Sequence, residues 1–536
     1  MDIYPLLPEK PDVLARSILV GDCEVDEDRD VVLGISVNWK WDVFVNGKLV
    51  CDARGCSNGE STFEPSDHLV RCRLKRGKNQ IACELFNGRG QFQIALNVFD
   101  EIPPELKWKP FAHFPNTDGS RVTISFSTTD ICPGGVIYRP VGSKEWQTKY
   151  DTRGGQIRRD VSVHNIRLSR LLPDTDYEYR VFILDEPDAW ARRLLGKVET
   201  FHSPKSAHQS ISFIATADIQ IAPGKRSAWM KKLFARDYAK RADFFTFVGD
   251  VSWTSDFSKE YMANFIEPFQ KITKNRKMLD IVRGNHEYYG KDTQSFFKVF
   301  SAPEPGKEGY YMFRYGDVCF FALDFGDDEG RCPAPSTRAL HCIGDYLDEQ
   351  KEWLAKAIET PACKTAKYRV VLAHGLPYGD WQEYMTGKVR YVIDDFFAGR
   401  KPKCKIHLWV GGHVHYAFRT TPWKDDYRSI VPAATIYNKR IDKPMNFQPI
   451  GHKYGFPITV FSGPSGYNTP DFQLSDISVN ITPKALTVIA HDMEGNEYDR
   501  FSITPDGKFS EIACSENFKF NGIGSCPIIP NTPFAR

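Results

Sequence analysis

The chain has 536 residues and a formal net charge of +2, and 41% of its residues are hydrophobic while 26% are charged. This length exceeds what one ordinary hydrophobic core supports, so two to four domains of a soluble globular protein are expected. The small net charge argues against nucleic acid or an anionic lipid surface as the main partner. No run of about 18 apolar residues occurs, so no membrane-spanning helix is predicted.

The sequence leaves the compartment open. The first 17 residues contain no basic segment followed by an apolar stretch, so no signal peptide is visible. A cytoplasmic location is expected unless the natural start was trimmed, in which case a secreted or periplasmic location fits. The 13 cysteines are scattered and form no CxxC pair. Three pairs are close enough in sequence to close loops in an oxidising compartment: Cys51/Cys56, Cys332/Cys342 and Cys514/Cys526.

Residues 1–104 are predicted to form short β-strands joined by tight turns. Asn46-Gly47 interrupts the apolar segment WDVFVNGKLV and is a strong hairpin signal, and Asn87-Gly88 marks a second turn. This pattern resembles the galactose-binding-like β-sandwich that is often attached to carbohydrate-active enzymes. The resemblance leaves two roles open, a structural domain or a surface that binds carbohydrate.

Pro103-Pro104 marks a linker, and residues 105–205 are again predicted to be all β. The segments VTISFST and YEYRVFIL are typical strands. In LLPDTDYEYRV, a leucine and Pro-Asp-Thr precede a tyrosine, which is similar to the corner that closes fibronectin type III sandwiches. The resemblance implies a structural role, as a spacer or shield beside the following domain.

From residue 206 the sequence alternates between strands and helices. Compact apolar runs each end in a polar or ionisable residue: ISFIATAD, FFTFVGD, LDIVRGNHE, YRVVLAHG and IHLWVGGHVH. Helix-like segments such as LDEQKEWLAKAIE lie between them, so residues 206–470 are predicted to be an α/β domain with buried strands. Residues 471–536 return to β character and are predicted to extend its sheet, with ISVNITPKALTVIAHD as a hairpin added to it. Ligands of such domains bind beyond the carboxyl ends of the strands.

The polar residues at these strand ends form one set of candidate metal ligands. The set combines carboxylates, amides and imidazoles: Asp218, Gln220, Asp250, Asn285, His374, His413 and His415. A pair of divalent ions about 3.5–4 Å apart needs such a mixture of donors, with one carboxylate able to bridge. Each residue alone has a structural explanation, such as a helix cap, a turn or a core histidine. Their joint occurrence at consecutive strand ends favours a metal site.

The order of these motifs resembles the calcineurin-like metallophosphoesterase superfamily, whose signature runs D-x-H, GD, GNH, a lone H and GHxH. The corresponding segments here are ADIQ, VGD, GNHE, AHG and GGHVH, spread over about 200 residues. The domain layout and the phrase GNHE most resemble the purple acid phosphatases. The resemblance implies a multidomain fold, with two N-terminal all-β sandwiches followed by an α/β metallophosphoesterase domain of four αββα layers.

The resemblance also implies a role for each candidate. The implied ligands of a first metal are Asp218, Gln220, Asp250 and His415. The implied ligands of a second metal are the bridging Asp250 with Asn285, His374 and His413. The implied catalytic residues are Asp250 and His286, and His286 would donate a proton to the leaving group instead of binding metal. Two divalent or mixed-valence ions of Fe, Mn or Zn are the implied cofactors.

Two positions depart from the family pattern. Gln220 replaces the histidine of many members, and a neutral amide is a weaker donor than imidazole. Metal affinity at that position is therefore expected to be lower, or to favour a metal that accepts oxygen. Trp253 in GDVSW replaces the tyrosine of purple acid phosphatases, and indole offers only a hydrogen-bond donor. The tyrosinate ligand behind the purple colour is missing, so an iron(III)-containing pair is not implied.

The leading functional hypothesis is a metal-dependent phosphomonoesterase in which a metal-activated hydroxide attacks phosphorus in line. A phosphodiesterase is the alternative, because the superfamily hosts both activities. A third possibility is a carbohydrate-binding protein with phosphatase activity on a phosphorylated glycan. The expected partner is a small-molecule phosphate ester. The residues expected to bind substrate are Arg283, His286 and Tyr378, and Glu287 is expected to anchor its loop by hydrogen bonds.

Overall fold

A computed structural model describes most of the chain. The described residues are 16–37, 40–52, 68–86, 93–100, 104–113, 122–184, 192–203, 210–253, 257–289, 293–300, 309–327, 343–378, 383–415, 417–429, 437–438, 443–444, 450–460, 474–516 and 518–522. Within them, no helix has both the length and the apolar character needed to cross a bilayer. The Asn87-Gly88 turn lies outside the described residues. So do Cys56, Cys332, Cys342 and Cys526, and with them at least one member of each proposed cysteine pair.

The described residues between 16 and 100, called the first β region below, form two antiparallel sheets. The strands are β1 (Arg16–Val25), β2 (Arg29–Val37), β3 (Lys40–Val45), β4 (Lys48–Asp52), β5 (His68–Leu74), β6 (Gly77–Phe86) and β7 (Ile94–Asp100). One sheet has the order β1-β6-β3-β4 and the other β5-β2-β7. The alternation of strand residues buries Trp41 and Val43 of β3 against Ile35 of β2 and Leu85 of β6. These side chains form a core between the sheets.

The hairpin predicted in this region is confirmed. β3 pairs antiparallel with β4 across Asn46 and Gly47. Their φ angles are 50° and 78°, both in the left-handed region, as in a type I′ turn. Asparagine and glycine adopt this conformation at the lowest cost, which explains the strength of the sequence signal.

The described residues between 104 and 203, called the second β region, contain strands and no helix. The strands are β8 (Leu106–His113), β9 (Val122–Thr128), β10 (Gly134–Pro140), β11 (Gln147–Tyr150), β12 (Thr152–Arg153), β13 (Gln156–Ile157), β14 (Val163–Leu168), β15 (Asp176–Leu184), β16 (Arg192–Leu194) and β17 (Glu199–His202). β11, β10, β15, β16 and β17 form one sheet, β14-β9-β8 a second, and β12 and β13 a small hairpin. The hydrogen bond expected of the tyrosine corner is present, since the Leu172 amide donates to the Tyr177 hydroxyl at 2.9 Å.

The remaining elements form the catalytic region, residues 210–522. Its strands are β18 (Ile211–Thr216), β19 (Phe244–Val248), β20 (Met278–Val282), β21 (Tyr311–Tyr315), β22 (Val318–Leu323), β23 (Tyr368–Ala373), β24 (Leu408–Gly411), β25 (Phe418–Thr420), β26 (Asp426–Ser429), β27 (Tyr437–Asn438), β28 (Lys443–Pro444), β29 (Ile458–Val460), β30 (Leu474–Ile481), β31 (Leu486–Asp492), β32 (Glu497–Ile503), β33 (Phe509–Cys514) and β34 (Lys519–Gly522). Its α-helices are α1 (Pro223–Ala235), α2 (Asp237–Arg241), α3 (Glu267–Thr273), α4 (Thr293–Val299), α5 (Ile343–Ala357), α6 (Pro361–Lys364) and α7 (Glu383–Phe397). A π-helix spans Phe257–Ile266, and short 3-10 helices span His286–Tyr288 and Gly451–Lys453.

Two mixed sheets carry the catalytic region. The first has the order β20-β19-β18-β30-β31-β32-β33, and the second β21-β22-β23-β24-β29-β25-β26-β34. β18, β19 and β20 run parallel to one another, as do β22, β23, β24 and β29. β30 and β31 form the hairpin predicted from ISVNITPKALTVIAHD, and β30 adds to the first sheet beside β18.

The sheets pack face to face, and helices cover their outer faces. Phe213 of β18 meets Phe320 of β22 with ring centroids 5.4 Å apart. On the outer face of the first sheet, Phe234 of α1 packs on Phe245 of β19. On the outer face of the second sheet, Phe321 of β22 packs in one buried cluster with residues of α5 and α7. This is the four-layer αββα arrangement that the family resemblance implied.

The second β region shares its hydrophobic core with the catalytic region. Trp108 and Phe111 of β8 belong to the same buried cluster as the strands of the first catalytic sheet. Phe111 meets Phe300, just after α4, at 5.8 Å between ring centroids. The side chain of Lys109 forms an ion pair with Glu267 of α3 at 2.8 Å. The two regions are therefore joined by continuous apolar packing.

Candidate metal centre

Five parallel strands end at one edge of the two packed sheets, and the candidate residues follow those ends. Asp218 comes after β18, Asp250 after β19, Asn285 after β20, His374 after β23 and His413 after β24. Several of these residues have φ in the left-handed region, which is costly for a residue with a Cβ and typical of functional sites: Asp218 (53°), Asp250 (54°), His413 (75°) and His415 (58°).

Asp218, Asp250 and His374 form the middle of the cluster. One ligand atom from each lies within 4.8 Å of the others, and all three side chains are buried. His374 Nε2 lies 3.2 Å from Asp250 Oδ1 and 3.8 Å from Asp218 Oδ1. Two buried carboxylates this close repel one another and need a compensating cation.

When no metal is bound, protonated His374 supplies this positive charge. Burial lowers the pKa of His374, but the negative charges of Asp250 and Asp218 outweigh burial and raise this pKa to about 10. Burial raises the pKa of Asp218 well above its usual value, and the nearby charge of Asp250 adds to the effect. A divalent ion would replace the proton on His374, because a metal ligand must be the neutral imidazole.

His415 and Gln220 close one side of the cluster. His415 Nε2 is 3.4 Å from Asp218 Oδ1. The side-chain nitrogen of Gln220 donates to Asp250 Oδ2 at 3.1 Å and lies 3.3 Å from His415 Nε2. Gln220 Oε1 is buried without a hydrogen-bond partner among the described residues. Rotation of the amide by half a turn exchanges oxygen and nitrogen, and brings this oxygen to the position that a metal ligand needs.

His413 and Asn285 close the other side. His413 Nδ1 lies 3.0 Å from Asn285 Oδ1, and the His413 amide donates to Asp218 Oδ2 at 3.0 Å. The rings of His413 and His374 are 5.4 Å apart. Burial lowers the pKa of His413 to about 3 and that of His415 to about 4, so both imidazoles are neutral at pH 7. Neutral imidazole is the form that binds metal.

Backbone groups and glycines fix this arrangement. His374 Nδ1 is 2.8 Å from the Val248 carbonyl oxygen, which directs Nε2 into the cluster. A Cβ on Gly249 would lie 2.5 Å from His374, and one on Gly412 would lie 2.5 Å from Asp218 Oδ2. The glycines of the GD and GGH motifs are therefore required by the close approach of backbone to ligand side chains.

His286 lies beside the cluster without joining it. Its backbone amide donates to Asp250 Oδ1 at 3.0 Å, and its Nδ1 lies 3.0 Å from the carbonyl oxygen of Trp253. The carbonyl oxygen only accepts, so the proton is on Nδ1 in the neutral imidazole and Nε2 faces Asp250 Oδ2 at 3.8 Å. The side chain is 18% exposed, so it is accessible from solvent.

The prediction for Glu287 is confirmed. Its buried carboxylate accepts hydrogen bonds from the amides of Gly284 (2.6 Å), Asp250 (2.9 Å) and Val251 (3.0 Å). It also accepts from the hydroxyl of Tyr261, a residue of the π-helix that sequence reasoning missed. Glu287 thus holds the loop after β19 against the loop after β20, and Asp250 and His286 lie on those two loops.

The expectation that Arg283 binds substrate is corrected by its burial. Its side chain is 1% exposed and lies 3.4 Å from Asp324. The guanidinium also stacks on Tyr288 at 3.6 Å and on Phe297 at 4.0 Å from the ring centroids. Asp324 was missed from sequence, although VCFFALD shows the same pattern of an apolar run ending in a carboxylate. Arg283 therefore stabilises the GNHE loop through these buried contacts.

The expectation that Tyr378 binds substrate is also at odds with its packing. Tyr378 is buried, and its ring stacks on that of Tyr454 at 5.6 Å with an interplanar angle of 4°. Tyr454 belongs to a distant segment, so the sequence does not reveal this contact, and protein occupies one face of the Tyr378 ring. Tyr378 is therefore a structural residue in this arrangement.

Comparisons with family models and with solved structures relate this chain to known proteins. Residues 211–417, which contain every candidate ligand, match the family model for calcineurin-like phosphoesterases. A purple acid phosphatase from yellow lupin (Lupinus luteus) seeds shares the fold over 98% of both chains, with 13% identity and a TM-score of 0.51. The structure of PhoD matches over 76% of this chain and 92% of its own, with 10% identity and a TM-score of 0.45. A comparison with curated protein sequences gives no match.

Proposed function

Since residues 211–417 form a calcineurin-like metallophosphoesterase domain and the protein is a metal-dependent phosphoester hydrolase, we propose that it is a phosphomonoesterase. The observation that carries this proposal is the position of His286. Its Nε2 faces the buried Asp250 at 3.8 Å while part of its ring is exposed to solvent. A proton donor in that position protonates one ester oxygen of a substrate bound at the cluster, the oxygen of the leaving alcohol.

The chain's own residues fit two divalent ions. The proposed ligands of one ion are Asp218, Gln220, Asp250 and His415. The proposed ligands of the other are Asp250, Asn285, His374 and His413. Two observations support the fit: Gln220 Oε1 is buried without a hydrogen-bond partner among the described residues, and His374 Nε2 points at two buried carboxylates, 3.2 Å from Asp250 Oδ1 and 3.8 Å from Asp218 Oδ1. Oxygen and nitrogen donors suit Mn, Zn or Fe, and Trp253 offers no oxygen for an iron–tyrosinate bond.

Each protein group then has a defined task in hydrolysis. When bound, the ions supply Lewis acidity that makes a water nucleophilic near neutral pH and neutralises charge on the phosphoryl oxygens. Glu287 holds Asp250 and the His286 loop in register, so the acid and the phosphorus are positioned before reaction. Donation requires the imidazolium form of His286, protonated on both nitrogens: the Trp253 carbonyl holds the Nδ1 proton, the Nε2 proton passes to the departing alkoxide, and the neutral imidazole is left behind. Attack in line places the departing oxygen opposite the nucleophile.

The test compares p-nitrophenyl phosphate with bis-p-nitrophenyl phosphate. The metal-stripped protein is assayed as it stands and with Mn, Zn, Fe or Mg restored in turn. Metal-dependent turnover with a higher kcat/KM on the monoester is expected. Higher kcat/KM on the diester would replace this proposal with a phosphodiesterase, and turnover that does not depend on metal would overturn the metal assignment.

A further inference from the structure

Trp253 is a large aromatic side chain at the rim of the centre, three residues after Asp250. It is 44% exposed, whereas Val251 and Ser252 before it are buried. Leaving so much apolar surface in water is unfavourable, because apolar area gains free energy on burial. Single exposed apolar side chains are common on protein surfaces, so it is the place of this indole beside His286 that carries the argument.

The segment that carries Trp253 is held in place from several sides. The amides of Asp250 and Val251 donate to the Glu287 carboxylate. Ser252 donates to Glu260 of the π-helix at 2.8 Å. These contacts fix the backbone on the N-terminal side of Trp253, so the exposed indole extends from a rigid base.

The indole also lies directly against His286. The two rings meet edge to face, with centroids 5.1 Å apart and an interplanar angle of 83°. The Trp253 carbonyl oxygen accepts a hydrogen bond from Nδ1–H of His286, which holds the imidazole against this segment. His286 also meets Tyr289 at 4.9 Å between ring centroids, and Tyr289 is buried. Trp253 is thus the member of this aromatic group that offers open surface.

This position places Trp253 near the alcohol portion of the substrate, which is the leaving group. A proton donor to the leaving alkoxide must contact the ester oxygen, and the rest of the alcohol extends outward from that oxygen. A group a few bonds beyond the oxygen therefore reaches the ring that borders His286. Indole attracts an aromatic ring by dispersion and by its quadrupole more strongly than it attracts a flexible alkyl chain.

We propose that Trp253 is a specificity residue that binds an aromatic ring in the alcohol portion of the substrate, so that the preferred substrates are phosphate esters of ring-bearing alcohols. This inference rests on the proposed function for the role of His286 and goes beyond it in naming the substrate class. It requires no contact of Trp253 with a metal.

The test uses 2-phenylethyl phosphate and butyl phosphate. Both are esters of primary alkanols of similar acidity, so they differ mainly in the ring. The wild-type ratio of kcat/KM, phenylethyl over butyl, is expected to fall about tenfold in Trp253→Ala, which corresponds to about 1.4 kcal/mol. Trp253→Phe should keep most of the ratio. Trp146→Ala, which removes a tryptophan that packs on Arg139 in the second β region, is the matched control.

A binding measurement separates this inference from the proposed function. Calorimetric titration with 2-phenylethylphosphonate and butylphosphonate, which are not hydrolysed, should show the same ring preference and the same loss in Trp253→Ala. Ring preference in binding without cleavage of either ester would refute the proposed function and support the inference. Cleavage of both esters with a ratio that Trp253→Ala leaves unchanged, or with equal losses on both, would overturn the inference alone.

Discussion

The two β regions differ in how they relate to the catalytic sheets. The core of the first β region contains Trp41, Val43 and Leu85, and its described members all lie between residues 19 and 98. In the second β region, Trp108 and Phe111 belong to the same buried cluster as the catalytic strands. A domain boundary in sequence is therefore not always a boundary in the core. Among the described residues, the second region shares its core with the unit that positions the metal centre, and the first region has a core of its own.

A continuous series of aromatic contacts leads from the second β region to the centre. Phe111 packs on Phe300, Phe300 on Phe296 at 5.1 Å, and Phe296 on Tyr261 at 6.3 Å between ring centroids. The Tyr261 hydroxyl donates to Glu287, which anchors the loops of Asp250 and His286. Packing at Phe111 therefore supports catalytic geometry, whereas the described core of the first region makes no such series.

The largest effect is expected from Asp250→Asn, which tests whether activity depends on the catalytic region alone. Asp250 is the proposed bridging ligand, so loss of its charge should lower kcat on p-nitrophenyl phosphate by about 10³-fold or more. Bound metal should fall in elemental analysis, while the melting temperature changes little. Asp30→Asn, on a 65% exposed side chain in the first β region, is the control. Full metal content at the wild-type rate would contradict the assignment.

Phe111→Ala tests whether the shared core supports the catalytic region. Truncation of a buried phenylalanine costs about 3–5 kcal/mol, and here it should lower the calorimetric transition of the catalytic region together with activity. Leu85→Ala in the separate core should cost about 2–5 kcal/mol in the transition of the first region and leave activity unchanged. If both variants shift one common transition, the two regions do not differ as proposed.

Asp280→Asn tests a buried charge in β20, a strand at the edge of the first catalytic sheet. Its carboxylate accepts from Tyr311 at 2.7 Å and Thr246 at 3.2 Å. Burial raises the pKa of Asp280 to about 6, above the unfolded value of 3.8. The folded state therefore binds the proton more tightly than the unfolded state does. The resulting contribution to the free energy of unfolding is fully present below pH 3.8 and is lost as the pH rises through 6.

The asparagine variant lacks this titration. Its gain in free energy of unfolding over wild type should grow between about pH 4 and pH 6 and then level off at about 3 kcal/mol, or about 1.4 kcal/mol per pKa unit. Urea unfolding of both proteins at pH 4, 5, 6 and 8 measures this difference in the free energy of unfolding. A gain that is constant with pH would show that hydrogen bonding, not the buried charge, sets the difference.

The smallest effect is expected from removing residues 1–103. Because the first β region has its own core, kcat/KM on p-nitrophenyl phosphate should stay within about twofold and the catalytic transition should keep its temperature. A large loss of activity or of folded protein would show that the first region supports the centre through contacts outside its core.

The sequence predicts much of the fold because its signals are local. The left-handed turn at Asn46-Gly47 and the hydrogen bond to Tyr177 depend on a few neighbouring residues, and both are present. The buried strands are continuous apolar runs, and parallel strands bring their carboxyl ends to one edge. For that reason Asp218, Asp250 and His374 were predictable as neighbours although they are far apart in sequence.

The rest depends on contacts between distant segments. Arg283 and Tyr378 are polar residues beside the motifs, and only the packing of Asp324, Phe297 and Tyr454 shows that both are buried. A side chain's direction at a strand end is set by whichever element covers it, and sequence spacing carries no information on that. The sequence by itself determined the alternation of strands and helices along the catalytic region and the position of each candidate donor after a strand end. The tertiary structure alone decided which polar residues face the open centre, that the second β region shares its core, and that Trp253 borders His286.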